Sequence, residues 1–109
     1  MKTETETPQY IQDFNRLVEI VSHHFRVEPD KVVSRMRGHK YTTARHVVAA
    51  LFSNWETLQG TADLLFYKSH QSVYLARKKV QEMIETGENF RMLSPVIDEV
   101  SEELPHLLP

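Results

Sequence analysis

Four consecutive polar side chains, Ser69-His70-Gln71-Ser72, stand where the sequence predicts the start of a helix. Polar side chains in the first turns of a helix can hydrogen-bond to base edges or to phosphates, and Gln can make a paired contact with adenine. The free backbone N–H groups at the same helix end also favour a phosphate. The alternative for Ser69 is a capping role alone, and for His70 a surface or capping role. This segment is therefore the first candidate for contact with a polyanion.

Basic residues form two further candidate groups. One lies in a polar, glycine-containing loop predicted at 34–40. Its arginines are candidates for a minor-groove contact, because arginine is drawn to the negative potential of a narrow minor groove. Arg45, one helical turn beyond this loop, is expected to brace a phosphate. The other group begins at Lys68, before the predicted helix start, and continues farther along that helix, where Arg77 and Lys78 or Lys79 are expected to reach the flanking strand. The alternative is that the Arg77-Lys78-Lys79 cluster is the solvated side of the helix. The candidates are Arg35, Arg37, His39, Lys40 and Arg45 in the first group, and Lys68, Arg77 and Lys78 in the second.

The same residue types do not form a catalytic or metal-binding pattern. Six histidines occur, but no His-Glu-x-x-His arrangement and no carboxylate pair accompanies them. The absence of cysteine excludes disulfides, thiolate zinc sites and cysteine nucleophiles. We expect neither catalysis, nor a metal, nor a cofactor, nor a small-molecule substrate.

Location follows from the same composition. The chain starts with a polar, acidic stretch without an apolar run behind it, which argues against a signal peptide. No stretch approaches the ~18 apolar residues that a membrane span requires. We therefore expect a cytoplasmic protein without a membrane partner.

The formal net charge of -2 conceals an uneven distribution. Residues 1–25 carry -2, residues 26–80 carry +6 with ten Lys or Arg against four Asp or Glu, and residues 81–109 carry -6. A basic middle between acidic ends indicates a polyanionic partner for one face, although clumped charge on a solvated surface is the alternative.

The secondary-structure elements that position these side chains are all predicted to be helices. Glycine is scarce, β-branched alternation is absent, and apolar residues recur at spacings of three and four. We predict an all-α bundle of five to six helices in one domain, 8–104, between a disordered tail at 1–7 and a frayed end at 105–109. Six helices are predicted. The first runs from Pro8 to about His24, the second covers 28–33, and the third runs from Thr42 or Thr43 to Trp55. The fourth begins after a Thr57 cap, the fifth runs from a Ser69 cap to Glu85, and the sixth runs from Phe90 to Leu104.

Two of these helices form a recognisable pair. A short helix, a tight connection at 66–68 and a longer helix with a polar start give a helix-turn-helix over about 57–85. The central helix before it has the most apolar face, and the longer helix has its own apolar side. The predicted inward residues are Val47, Val48, Leu51, Phe52 and Trp55 in the central helix, and Val73, Ala76, Val80 and Met83 or Ile84 in the longer one.

Three passages resemble the C-terminal DNA-binding domain of the bacterial replication initiator DnaA, a member of the Trp-repressor-like helix-turn-helix group. They are Ile20 to Val27 with Asp30 to Ser34, then Arg35 to Lys40 with Ala44-Arg45-His46, then Tyr67 to Val73 with Ala76-Arg77-Lys78. The last corresponds to the family signature Gly-Arg-Asp-His-Ser/Thr-Thr-Val, and the likeness covers about residues 11–85. It implies a recognition helix starting at Ser69 in the major groove and Arg37 in the minor groove.

The chain differs from the family at several signature positions. Ser69 replaces the family's Asp, Gln71 its first Thr, Phe66-Tyr67 a glycine pair, and His39 a basic loop position. The resemblance thus implies the binding mode, in regulation of replication or transcription, and not the initiator's own DNA site. The nucleotide-binding loop of full initiators is absent from the sequence. The alternative is an adaptor that keeps the scaffold and binds a protein through its acidic final helix.

Overall fold

The computed structural model describes residues 7–109, so most of the predicted tail at 1–7 lies outside the described residues. Six α-helices form a small bundle, and residues 7–109 include no β-strand, which confirms the predicted all-α fold class. The helices are α1 (Gln9–Phe25), α2 (Pro29–Val32), α3 (His39–Phe52), α4 (Leu58–Leu64), α5 (His70–Thr86) and α6 (Phe90–Glu103), followed by a 3-10 turn (Pro105–Leu107).

Helix α3 lies at the centre of the bundle because its apolar residues face more than one neighbour. Val47, Val48 and Phe52 are fully buried, and α3 packs against α1 on one side and α5 on another. Helix α6 packs on α1, and α4 packs on α5. The predicted central helix is therefore confirmed, and it determines where α5 can lie.

The bounds of α3 differ from the predicted ones at both ends. It begins at His39, with Gly38 as the N-cap at φ 131°, because glycine tolerates this left-handed backbone. His39 and Lys40 therefore lie in a helical turn and not in the loop. Basic residues are unfavourable at the positive end of a helix, which is why the sequence pattern predicted a later start. At the other end Trp55 lies beyond the helix and is 45% exposed, so its predicted place in the core is wrong.

Helix α1 begins at Gln9, with Pro8 as its N-cap instead of its first helical residue. Phe14, Leu17 and Val21 form its buried face, as the apolar spacing predicts. On its outer side, Arg16 makes a two-point contact with Glu103 of α6, at 2.7 and 2.8 Å. This contact raises the pKa of Arg16 and lowers that of Glu103. Part of the acidic surface of α6 is thus neutralised within the molecule.

The end of the chain is docked and not frayed, which corrects the prediction for 105–109. Leu107 is fully buried, and its carbonyl accepts a hydrogen bond from Asn54 Nδ2 at 2.9 Å. His106 Nε2 lies 2.7 Å from Oδ2 of the buried Asp13, and its ring packs edge-on against Trp55. These partners are distant in sequence, so no local pattern indicates them. No helix in 7–109 combines the length and apolarity needed to cross a bilayer.

Candidate nucleic-acid interface

Helices α4 and α5 are joined by a tight connection at 65–69, where the sequence predicted one at 66–68. Thr57 caps α4, since its side-chain oxygen accepts a hydrogen bond from the Gly60 N–H at 2.9 Å. At the other end of α4 the chain reverses through Phe66, which has a left-handed backbone (φ 60°), and the Tyr67 N–H donates to the Ala62 carbonyl at 2.9 Å. The left-handed position is one that glycine normally fills. The turn thus has a left-handed position occupied by Phe66, whose backbone is strained and whose side chain is exposed.

A cleft of about 500 Å³ lies between this turn and the loop that precedes α3. The loop and the turn are separated by the whole of α3 in sequence, and the packing of α3 on α5 brings them together. Cations therefore stand on both walls of one depression. The cleft is lined by Ser34, Arg35 and Arg37 from the loop, by Leu65, Phe66, Tyr67 and Lys68 from the turn, by Ser72 from α5, and by Arg45 from α3.

Arg45 has a structural role that corrects the expectation of an exposed phosphate contact. Its residue is only 8% exposed, and its guanidinium donates to three backbone carbonyls. Nε donates to Val32 at 2.7 Å, and one terminal nitrogen donates to Lys31 at 3.2 Å and to Met36 at 3.0 Å. Burial lowers the pKa of Arg45, although no deprotonation follows at neutral pH because an arginine starts so high. Arg45 thus ties the end of α2 and the basic loop to α3.

Tyr67 forms part of the cleft, and the sequence had suggested only a turn position for it. Its hydroxyl is buried and has no hydrogen-bond partner within 7–109. Burial raises the pKa of Tyr67 to about 12, with nearby Arg45 opposing the shift. The phenol is therefore neutral and adds no negative charge beside the cations of the cleft.

The start of α5 presents polar side chains to solvent. Ser69 occupies the predicted N-cap position, but its hydroxyl makes no capping hydrogen bond. His70 and Gln71 are exposed, and no hydrogen bond within the described range uses either side chain. Ser72 lines the cleft. The first turn of α5 thus lies beside the basic loop, and the acidic C-terminal segment does not cover it.

Arg77 and Lys78 point in different directions from α5. One terminal nitrogen of Arg77 donates to the Ser53 carbonyl at 3.2 Å and to the Ser53 hydroxyl at 3.1 Å, at the end of α3. Arg77 also borders a separate groove on another side of α5, so the structure does not bring it to the cleft. Lys78 is exposed, and its Nζ lies 5.8 Å from the ring centre of Tyr74. The predicted Arg77 contact is thus replaced by a tie between α5 and α3.

His46 belongs to this basic side of the molecule, although the sequence did not single it out as a contact. Burial lowers its pKa first, and the positive charges of Arg45, Lys79 and His39 lower it further. The i and i+7 spacing of His39 and His46 places both on one side of α3. His46 is therefore predominantly neutral at neutral pH.

Comparisons of the chain with protein-family models, with curated proteins and with solved structures found no match in any of the three. Within residues 7–109 no three His, Cys, Asp or Glu side chains are grouped closely enough to hold a metal ion. The chemistry that the arrangement can perform is recognition of an extended polyanion by cations on two walls and by polar groups at a helix start.

Proposed function

We propose that the chain binds double-stranded DNA, with α5 in the major groove and the loop at 34–38 in the adjacent minor groove, in the regulation of replication or transcription. The observation that carries this proposal is the shared cleft, in which Arg35 and Arg37 face Lys68 and Ser72 across the start of α5. DNA offers phosphates at regular spacing and two neighbouring grooves, which such an arrangement can straddle.

The roles within the proposed interface follow from exposure and position. Gln71 and His70 stand in the first turn of α5 and are available to base edges. Arg37 is exposed in a loop short enough to enter the narrow groove, where arginine is favoured. Lys68, in the turn before α5, and Lys78, on the exposed side of α5, are the proposed phosphate contacts. The resemblance to the DnaA C-terminal domain supports the same mode, since its matching positions fall on this loop and this helix start.

The test is the salt dependence of binding to a random-sequence duplex, measured by fluorescence anisotropy. Each neutralised phosphate lowers log K by about 0.9 per log unit of salt. Replacing both Arg35 and Lys68 by Ala should reduce that slope by up to about 1.8. The matched control is Arg91→Ala, which removes an exposed cation from α6. The proposal fails if the duplex is not bound, or if Arg91→Ala weakens binding as much as the double variant does.

Two further variants test the proposed major-groove and minor-groove contacts separately. Gln71→Ala should cost about 1 to 3 kcal/mol at one base position only, because a paired contact with one base is lost. Arg37→Ala should weaken binding to all sequences, or to those with narrow minor grooves. Binding that neither variant changes would show that the site assignment is wrong even if DNA is bound.

A second candidate function is binding of a protein partner near α6. A groove of about 630 Å³ between α5 and α6 exposes Ile84 and Phe90, and Asp98 lies on its edge. An adaptor of this kind would pass through a heparin column at low salt, whereas a DNA-binding domain would be retained and released by salt. Retention on heparin, abolished by replacing Arg35 and Lys68, favours DNA.

A further inference from the structure

Two large apolar side chains near the start of α5 lie on its outer surface. Tyr74 is 53% exposed and Leu75 is 59% exposed, whereas their neighbours Val73 and Ala76 are fully buried. A single exposed leucine is common on a helix surface, so exposure alone does not indicate a ligand. The informative observation is where this exposed pair lies relative to the cleft.

Leu75 lies on the side of α5 that faces the proposed DNA. Residues three and four positions apart are neighbours on a helix surface, so Leu75 adjoins Gln71 and Ser72. Ser72 lines the cleft, and Leu75 is the sixth residue of α5, within its first two turns. Tyr74 lies farther round the helix, with its ring beside Lys78. Tyr74 adjoins His70 and Gln71 by the same spacing, but Leu75 is the exposed apolar side chain that adjoins both Gln71 and the cleft-lining Ser72.

The charge around Leu75 selects the kind of ligand. Arg35, Arg37 and Lys68 stand on the cleft side, and Lys78 lies one turn farther along α5, so the surface that contains Leu75 is cationic. A polyanion that also displays apolar groups fits this surface. In the major groove of DNA, the C5-methyl of thymine is an apolar group that A·T pairs present and G·C pairs lack.

We infer that Leu75 contacts the C5-methyl group of a thymine and so determines part of the sequence preference. The inference rests on the proposed DNA-binding function. Because Gln71 can pair with adenine and Leu75 lies one turn farther along, the preferred site should contain an adenine contacted by Gln71 and a thymine close by.

The test starts from duplexes selected out of a random pool by the unmodified chain. Each thymine of the selected site is then replaced by deoxyuridine, which lacks only the C5-methyl group. At one position this replacement should weaken binding about fourfold, which corresponds to about 0.8 kcal/mol for one buried methyl at 1.4 kcal/mol per tenfold. In Leu75→Ala the same replacement should have no effect.

Ile84→Ala is the matched control, since Ile84 is 57% exposed on the same helix but borders the groove beside α6. Its variant should keep the fourfold discrimination. The inference is overturned if the unmodified chain binds DNA yet does not distinguish thymine from deoxyuridine at any position, or if Leu75→Ala still does. A pool that yields no enriched duplex, although the random-sequence duplex is bound, overturns this inference alone. Failure to bind the random-sequence duplex overturns the proposed function, and the inference with it.

Discussion

Replacement of Arg45 separates a structural role from a DNA contact. Arg45→Met keeps much of the aliphatic stem but removes every donor from the guanidinium. The hydrogen bond to the Val32 carbonyl is buried, whereas those to Lys31 and Met36 are partly accessible to water. A buried carbonyl that loses a charged donor costs about 2 kcal/mol, and each accessible carbonyl costs about 0.5 kcal/mol because water replaces the donor.

The sum of these contributions is about 3 kcal/mol, and relief of the guanidinium desolvation reduces it. We therefore expect Arg45→Met to lower the free energy of unfolding by about 2 to 3 kcal/mol. A domain of this size loses roughly 4 to 8 °C in Tm for each kcal/mol, so Tm should fall by roughly 10 to 20 °C. Arg45→Lys should recover only part of the loss, because one ammonium cannot reach three separate carbonyls.

Urea unfolding followed by circular dichroism measures the change, and Arg35→Met is the control. Arg35 lines the same cleft but is exposed, so its loss should alter stability by less than about 0.5 kcal/mol. The reasoning is refuted if Arg45→Met unfolds at the same urea midpoint as the unmodified chain. It is refuted most directly if the same variant also lowers the salt slope of DNA binding by about 0.9, the result expected for a phosphate contact.

Three further changes test other parts of the structure. Phe66→Gly should stabilise the chain by about 0.5 kcal/mol, because glycine adopts φ 60° without the roughly 1 to 2 kcal/mol cost that other residues meet. Phe66→Ala should not stabilise it, and urea midpoints distinguish the two variants. His46→Gln should lose less stability than the unmodified chain as pH falls below about 6.5. Folding lowers the pKa of His46, so the unfolded state takes up a proton more readily, and the unmodified chain loses stability at low pH. Tm values measured between pH 7.5 and 5.5 check this. Leu107→Ala should cost about 2 to 4 kcal/mol, and a loss below 1 kcal/mol would show that the end of the chain is not docked.

The helical architecture could be predicted because each long helix has an apolar face with regular spacing. Val73, Ala76, Val80 and Met83 are buried along α5 as their positions indicate. Ile84, the alternative to Met83, is exposed. Helix ends were harder to predict where the first turn is basic, as in α3, since charge and propensity there favour a loop. Local pattern thus predicts the face of a helix better than its first residue.

The candidate site was predictable in position but not in the role of each cation. A sequence shows that a residue is basic, but it does not show which backbone carbonyls lie within hydrogen-bond distance of its guanidinium. Arg45 bonds to carbonyls 9 to 14 residues away, and Arg77 bonds to Ser53, 24 residues away. Both were expected to contact DNA for the same reason as Arg35 and Arg37, namely their charge. Tertiary packing alone separates the two pairs.

The structural role of Arg45 also explains how the proposed interface keeps its shape. A loop with Arg35, Arg37 and a neighbouring Lys40 repels itself when no anion is bound, and repulsion favours an extended, disordered loop. Arg45 opposes this by holding the Met36 carbonyl between the two exposed arginines. The loop is thereby ordered before the proposed DNA partner binds, so binding does not have to supply the cost of ordering it. On this argument Arg45→Met should weaken DNA binding even at temperatures where the variant stays folded, and should do so without changing the number of phosphates neutralised.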